Sequence, residues 1–298
     1  TPQCRQVSLL GTGFREPWGT QGDITLTWKR PWERCQLPLL PRQTLHIICG
    51  MSSRLAQSAP ALVFVAVSVL YIATLAPGLT WAHEGANGGR LVTAAYTLGI
   101  PHPTGYPTYV LVGKLFTLMP LGPVAWRLNL LSVVAGAGAV ALVMATARRL
   151  LAAEGPPELA VLPALLAAGL LATGASFWSQ TLIAEVRALN AFAAALALYL
   201  AVRLGQERAP LLAALLGLAL GLGLGNDQSL VLLAPSLVIL TWPVRGRPRT
   251  RATILALTGL AGGLLVYLYL PLRAWQSPRL VWGEPGTEIG RASCRERV

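Results

Sequence analysis

Residues Leu75–Ser132 read LAPGLTWAHEGANGGRLVTAAYTLGIPHPTGYPTYVLVGKLFTLMPLGPVAWRLNLLS. The flanking sequence is dominated by Leu, Ala, Val and Gly. This one stretch holds two of the three histidines, a carboxylate, an Arg and Asn two positions apart and a cluster of Pro and Gly. It predicts a long polar loop between apolar segments, and a membrane protein that gathers its polar residues in one loop works there.

Outward from that loop, the composition is that of an integral membrane protein. Of 298 residues, 54% are hydrophobic and only 12% charged, half the charge of a soluble domain at about 25%. The net charge of +12 does not indicate nucleic acid, because the basic residues punctuate apolar segments instead of forming a patch. Residues 1–50 mix Trp, Pro, Cys and Arg without periodicity and are expected to be translated upstream sequence, disordered, with Met51 as the start. The end, EIGRASCRERV (288–298), reads as translated sequencing-adapter DNA. Residues 51–287 are then a truncated membrane domain. All four cysteines, Cys4, Cys35, Cys49 and Cys294, fall outside it, so neither a disulfide nor a cysteine metal site is expected there.

A bilayer core of about 30 Å takes roughly 20 apolar residues per helix. Seven spans are predicted, at 60–77, 128–147, 159–175, 189–203, 210–225, 229–242 and 252–271. The apolar segment 105–119 contains Lys114 and is bounded by Pro107 and Pro120, which marks it as an interfacial or re-entrant helix in the first loop. With this count, Arg54, Arg148, Arg149, Arg203, Arg208 and Arg245–Arg251 share one side, which the positive-inside rule makes cytoplasmic. Trp81, Trp126, Trp178, Trp242, Trp275 and Trp282 stand at span ends, as interfacial indoles do. The fold class is all-α, a polytopic helical bundle.

Four carboxylates fall on the opposite side: Glu84, Glu185, Asp227 and Glu284. Glu84, in WAHEGANGG, is a candidate base for a hydroxyl nucleophile, against the reading of a solvated loop Glu. His102, held between Pro101 and Pro103, is a candidate phosphate ligand or proton relay, or else a structural histidine. Arg127 with Asn129 suits a lipid phosphate, or a snorkelling arginine. Glu185, Arg187 and Asn190 form either a salt bridge at a helix start or a site wall. Asn226 and Asp227 read as a tight turn. His83 and His102 make a poor metal pair, and no zinc spacing is present. No Walker loop, dinucleotide fingerprint or nucleophile elbow occurs.

In order along the chain, LAPGLTWAHEGANGG, GIPHPTGYPTYVLVGKLF, VAWRLNLLS, IAEVRALNAF, GLGLGN and YLPLRAWQSPRLVWGEP resemble the membrane family known as domain of unknown function 2723. That family includes the transmembrane protein 260-type protein O-mannosyltransferases. The resemblance runs from about Leu75 to Thr287 and implies a GT-C-like fold with its active site on the outer face. It implies transfer of a sugar, mannose, from a polyprenyl-phosphate donor to a protein hydroxyl or a glycan acceptor. It places Glu84 as catalytic base and matches His102, Tyr106, Arg127, Asn129, Glu185 and Asn190 to the family's motifs; these six, with His83, Asn226, Asp227 and Arg273, are the candidate substrate-binding residues. No resident cofactor is implied, and a divalent metal is left open. The partners implied are the lipid bilayer, the lipid-linked sugar and the acceptor, in a bacterial plasma membrane. The chain departs from the family at Asn87 and Arg90, where acids are common, at Thr104, where proline is usual, and at Asp227, where histidine is common. The alternatives are a transporter or lipid flippase and an inactive scaffold of the same family.

Overall fold

A computed structural model describes residues 42–82, 87–155, 157, 159–207, 209–241, 249–278 and 280–281. Among them the fold is all helical, with one isolated parallel bridge between Ile100 and Val281. The helices are α1 (Arg42–Ala73), α2 (Gly88–Thr97), α3 (Pro107–Thr117), α4 (Val124–Glu154), α5 (Val161–Thr173), α6 (Ala175–Thr181) and α7 (Val186–Glu207). They continue with α8 (Pro210–Leu224), α9 (Ala234–Thr241), α10 (Arg249–Leu264) and α11 (Tyr269–Trp275). Short 3-10 turns precede α9 (Gln228–Leu233) and α11 (Leu265–Leu268). The first nine residues of α1 lie upstream of Met51. The rest of the predicted upstream segment, and residues 288–298, lie outside the described residues.

Each of the seven predicted spans coincides with a helix or a helix pair. Three are long and apolar enough to cross a membrane unaided: Val124–Glu154, Val186–Glu207 and Thr250–Trp275. The pair α5 and α6 makes a fourth if its 65° bend is crossed within one span. Gln57–Ala73, Pro210–Leu224 and Gln228–Thr241 are shorter apolar helices, so the expectation of seven full spans exceeds what length and composition carry. The first polar loop also holds more order than predicted. The expected helix at 105–119 is α3, and α2 precedes it. Its apolar positions Leu91, Val92, Ala94 and Ala95 are buried, and they share one helical face.

The centre of the bundle is α4, packed along α1, α5 and α7. Its AGAGA run (135–139) is buried. There is no room for a Cβ at Gly136, where Thr181 abuts, or at Gly138, where Phe192 abuts. Helices α8 and α10 meet backbone to backbone. Gly217 and Gly221 on one face Ala256 and Leu260, while Gly259 and Gly263 on the other face Ala214 and Leu218. Both pairs are spaced i, i+4, the small-residue arrangement that lets apolar helices gain dispersion contacts in lipid.

Arg149 on α4 lies 3.0 Å from Glu207 on α7. The C-termini of these two helices therefore share one end of the bundle, and α4 and α7 run parallel. The N-terminus of α7 lies at the other end, about 33 Å away for 22 residues at 1.5 Å each.

Candidate functional site

The polar residues gather where the loop after α2 meets the start of α7. Helix α2 closes with Leu98 in the left-handed region at φ 52°, and the Gly99 amide donates to the Ala94 carbonyl at 2.9 Å. A Cβ on Gly99 would stand 2.8 Å from Leu280, so the later segment lies directly on this backbone. The Ile100 amide donates to the Leu280 carbonyl at 2.8 Å. The chain then turns through Gly105 (φ +85°) and Tyr106 (φ 42°) into Pro107 at the first turn of α3. A tyrosine at positive φ is uncommon, and such strain clusters at functional sites. Here the turn is pinned: Thr108 donates from its amide to the Gly225 carbonyl at 3.1 Å and from Oγ1 to the Leu222 carbonyl at 2.6 Å. The Tyr106 hydroxyl lies 3.3 Å from His102 Nε2, with the two rings edge to face at 5.1 Å.

Two carboxylates face this pair. Glu185 precedes α7 and is 2% exposed, its Oε2 accepting from the Val186 amide at 3.3 Å. A helix N-terminus favours that negative charge. Asn226 is fully buried and donates to the Val186 carbonyl at 3.1 Å. Asp227 caps the following 3-10 turn by accepting from the Ser229 amide at 2.8 Å, and Asn190 donates to Ser229 Oγ at 3.0 Å. Burial, then the charges of Asp227 and Glu185, push the Tyr106 hydroxyl up from its usual pKa. Burial, then the Arg90 guanidinium, hold His102 below the usual histidine value. A positive charge, Arg90, thus acts on His102, and two negative charges, Asp227 and Glu185, act on Tyr106. Among the described residues, His102 Nδ1, Tyr109 Oη, Asn190 Oδ1 and Asn226 Oδ1 are buried without a hydrogen-bond partner. An unsatisfied buried polar group costs about 1–3 kcal/mol.

Six predicted residues are therefore brought together: His102, Tyr106, Glu185, Asn190, Asn226 and Asp227. Three are not. Arg127 lies at the far end of α3, where its guanidinium donates to the carbonyls of Thr117 (2.7 Å), Leu121 (2.6 Å) and Gly122 (2.9 Å). It caps the last carbonyl of α3, at Thr117, and ties down the turn at Leu121 and Gly122, about 15 Å from Tyr106 along that helix. Asn129 is buried and donates to the Ala76 (2.8 Å) and Gly78 (3.0 Å) carbonyls, fixing the chain after α1. Arg273 donates to the Leu98 (2.7 Å) and Thr97 (3.2 Å) carbonyls and to Gln276. His83 and Glu84 lie outside the described residues.

Sequence reasoning assigned no part to Arg90, noted only as a departure, or to Tyr109. The legible signals were a guanidinium in the opening turn of a glycine-rich helix and a tyrosine one helical turn after Tyr106. Arg90 also lines an open groove of about 390 Å³ with Leu79, Thr80, Trp81, Gly89, Thr93 and Leu280. Among the described residues no group of three His, Cys, Asp or Glu side chains could hold a metal ion.

Residues 88–248 match the family described as Protein O-mannosyl-transferase TMEM260 N-terminal domain. The chain is 34% identical over 240 residues to Protein O-mannosyl-transferase TMEM260 of Mus musculus, a match covering 76% of this chain and 32% of that protein. It is 30% identical over 78 residues to Protein O-mannosyl-transferase tmem260 of Dictyostelium discoideum, covering 25% of this chain and 9% of that one. The chain thus spans a third or less of the length of the curated relatives it matches. No solved structure matches. The chain belongs to the family of the TMEM260 N-terminal domain.

Proposed function

We propose that this family member is the membrane part of a GT-C-type glycosyltransferase. It moves a sugar, mannose by analogy with its named relatives, from a polyprenyl phosphate to a hydroxyl of a protein or glycan acceptor. The observation that supports this most is the meeting of His102, Tyr106, Glu185, Asn190, Asn226 and Asp227 at one end of an apolar bundle. Buried polar groups at membrane depth are costly and functional by default.

The charge pattern suggests how the donor lies. Glu185 and Asp227 repel a phosphate but accept hydrogen bonds from sugar hydroxyls, and Asn190 and Asn226 offer two more acceptor oxygens. The phosphate belongs on the Arg90 and His102 flank, where a guanidinium and an imidazole N–H favour an anion. In the transfer, the acceptor oxygen attacks the anomeric carbon from the face opposite the phosphate. The C–O bond to the phosphate breaks, the polyprenyl phosphate leaves with the bonding pair, and the acceptor proton passes to a base. We assign that base to Glu84, from the family resemblance. Donors that meet the charge developing on the leaving phosphate are the largest expected source of rate. Arg127 and Asn129 are left out of this scheme, because the guanidinium nitrogens of Arg127 and the amide nitrogen of Asn129 each donate to backbone carbonyls.

The Glu185 end is assigned to the outer face of a bacterial plasma membrane. The opposite end carries Arg148, Arg149 and Arg203, as a cytoplasmic end does. The test is reconstitution of the complete gene product in liposomes with polyprenyl-phosphate mannose and a Ser/Thr peptide, read by mass spectrometry of the peptide. Transfer that is largely lost in Glu84→Gln at unchanged expression is expected. Full activity in that variant removes Glu84 as the base, and lipid movement without transfer overturns the enzyme reading.

A further inference from the structure

Three side chains of the stretch 267–278, those of Tyr267, Tyr269 and Arg273, donate to the backbone of other elements. Tyr267 donates to the Leu224 carbonyl at 2.7 Å, at the end of α8. Tyr269 donates to the Gly99 carbonyl at 2.9 Å. Arg273 donates to the Leu98 and Thr97 carbonyls at the end of α2. The Leu280 carbonyl accepts from the Ile100 amide, and Leu280 covers Gly99 so closely that no Cβ fits. Leu270 fills the space beside Gly105 in the same way. The break from α10 through a 3-10 turn into α11 makes this possible, because it turns successive side chains toward two separate helix ends.

We propose that Tyr269 and Arg273 are positioning residues, in which α11 and Leu280 form a clamp that fixes the backbone of 97–100 and through it the His102–Tyr106 pair. The proposal gives Arg273 no contact with the donor phosphate. Its guanidinium donates to three partners within the protein, and two of them are the carbonyls that α2 leaves unpaired at its C-terminus. The clamp's consequence for transfer rests on the functional reading above, but its consequence for His102 does not.

The experiment is acylation of the intact protein in detergent by diethyl pyrocarbonate, read peptide by peptide. His102 is the reporter. Tyr199 is the internal control, because diethyl pyrocarbonate also acylates tyrosine and this ring lies beside Arg149 and Arg203, near the opposite end of α7. In Arg273→Ala the His102 rate is expected to rise roughly tenfold or more relative to Tyr199, tenfold being the scale of losing a single charged hydrogen bond. Tyr269→Phe should give a smaller rise, and Arg273→Lys should recover part of the protection, since an ammonium can still reach one carbonyl. An unchanged His102 rate in both Arg273→Ala and Tyr269→Phe overturns the clamp, as does an equal rise at His102 and Tyr199. Tyr269→Phe removes only a hydroxyl and keeps the question decidable if Arg273→Ala fails to fold. In the transfer assay, Arg273→Ala should lower kcat roughly 10- to 100-fold through misplacement of the pair, with the donor KM unchanged. A raised donor KM at unchanged kcat would make Arg273 a phosphate ligand and overturn the assignment. If no transfer occurs in the unmodified protein, the enzyme reading falls while the labelling still decides the clamp.

Discussion

The two ends of α7 handle polar residues in opposite ways. At its C-terminus, Glu207 is bridged by Arg203 at 2.7 Å and by Arg149 at 3.0 Å, with side chains about a third exposed. Both guanidinium groups also lie over the Tyr199 ring. At its N-terminus, Glu185 and Asn226 are buried, Glu185 accepting from the Val186 amide and Asn226 donating to the Val186 carbonyl. Exposed ion pairs contribute little to stability because water already solvates both charges. Buried ones are costly to keep unless they are paired. The first end is therefore a solvated helix terminus, and the second is a place where polarity is retained against its cost.

The bluntest way to erase the distinction is Gly259→Leu. Its side chain would strike the Ala214 carbonyl, drive α10 from α8 and take the turn at Gly225 with it. Loss of a single species in size-exclusion chromatography is expected, whereas Gly262→Leu, which meets open space, should behave as the parent. Next, Glu185→Gln should reduce transfer about 100-fold, on the scale of removing an electrostatic contact in a water-excluded site, while Glu207→Gln leaves it unchanged. Equal losses in the two variants would remove the functional difference between the ends. Asn226→Ala should lower stability by about 1–3 kcal/mol, because the Val186 carbonyl loses its buried donor. Chemical denaturation of the detergent-solubilised protein measures this.

Smaller still is the pH effect of His102. Its pKa in the folded protein lies below the ordinary 6.5. In the window just below 6.5 the unfolded chain therefore binds more protons than the folded one, and stability falls as pH falls. It is fully present above 6.5. The thermal midpoint should drop on acidification below 6.5, and drop less in His102→Gln. An identical slope in both proteins would remove His102 as the cause. Smallest of all, Glu207→Gln should leave the thermal midpoint unchanged at physiological salt.

Much of the fold was legible because burial in lipid demands long apolar runs, so the helices near 60–77, 128–147 and 189–203 announce themselves. Helix α2 did not, since LVTAAYT is short and follows a glycine-rich loop. What makes it a helix is the burial of Leu91, Val92, Ala94 and Ala95 against α3 and α4. In the site, Glu185 and Asn190 were legible as polar residues in an apolar context. Arg127 and Arg273 allow two readings for one physical reason: a guanidinium suits phosphates and backbone carbonyls equally well, because both present oxygen acceptors. Sequence gives the donor but not which acceptor reaches it first.

The sequence by itself determined that this is an all-helical membrane protein with its polar residues held at loop positions, because hydrophobic periodicity and charge spacing are local properties. Only the tertiary structure decided which of those residues meet. The close approach of α8 to α10 joins Gly217 to Ala256, and the reach of α11 back to α2 joins Arg273 to Thr97. No local pattern encodes that pairing, because it arises from which surfaces can approach without a Cβ between them.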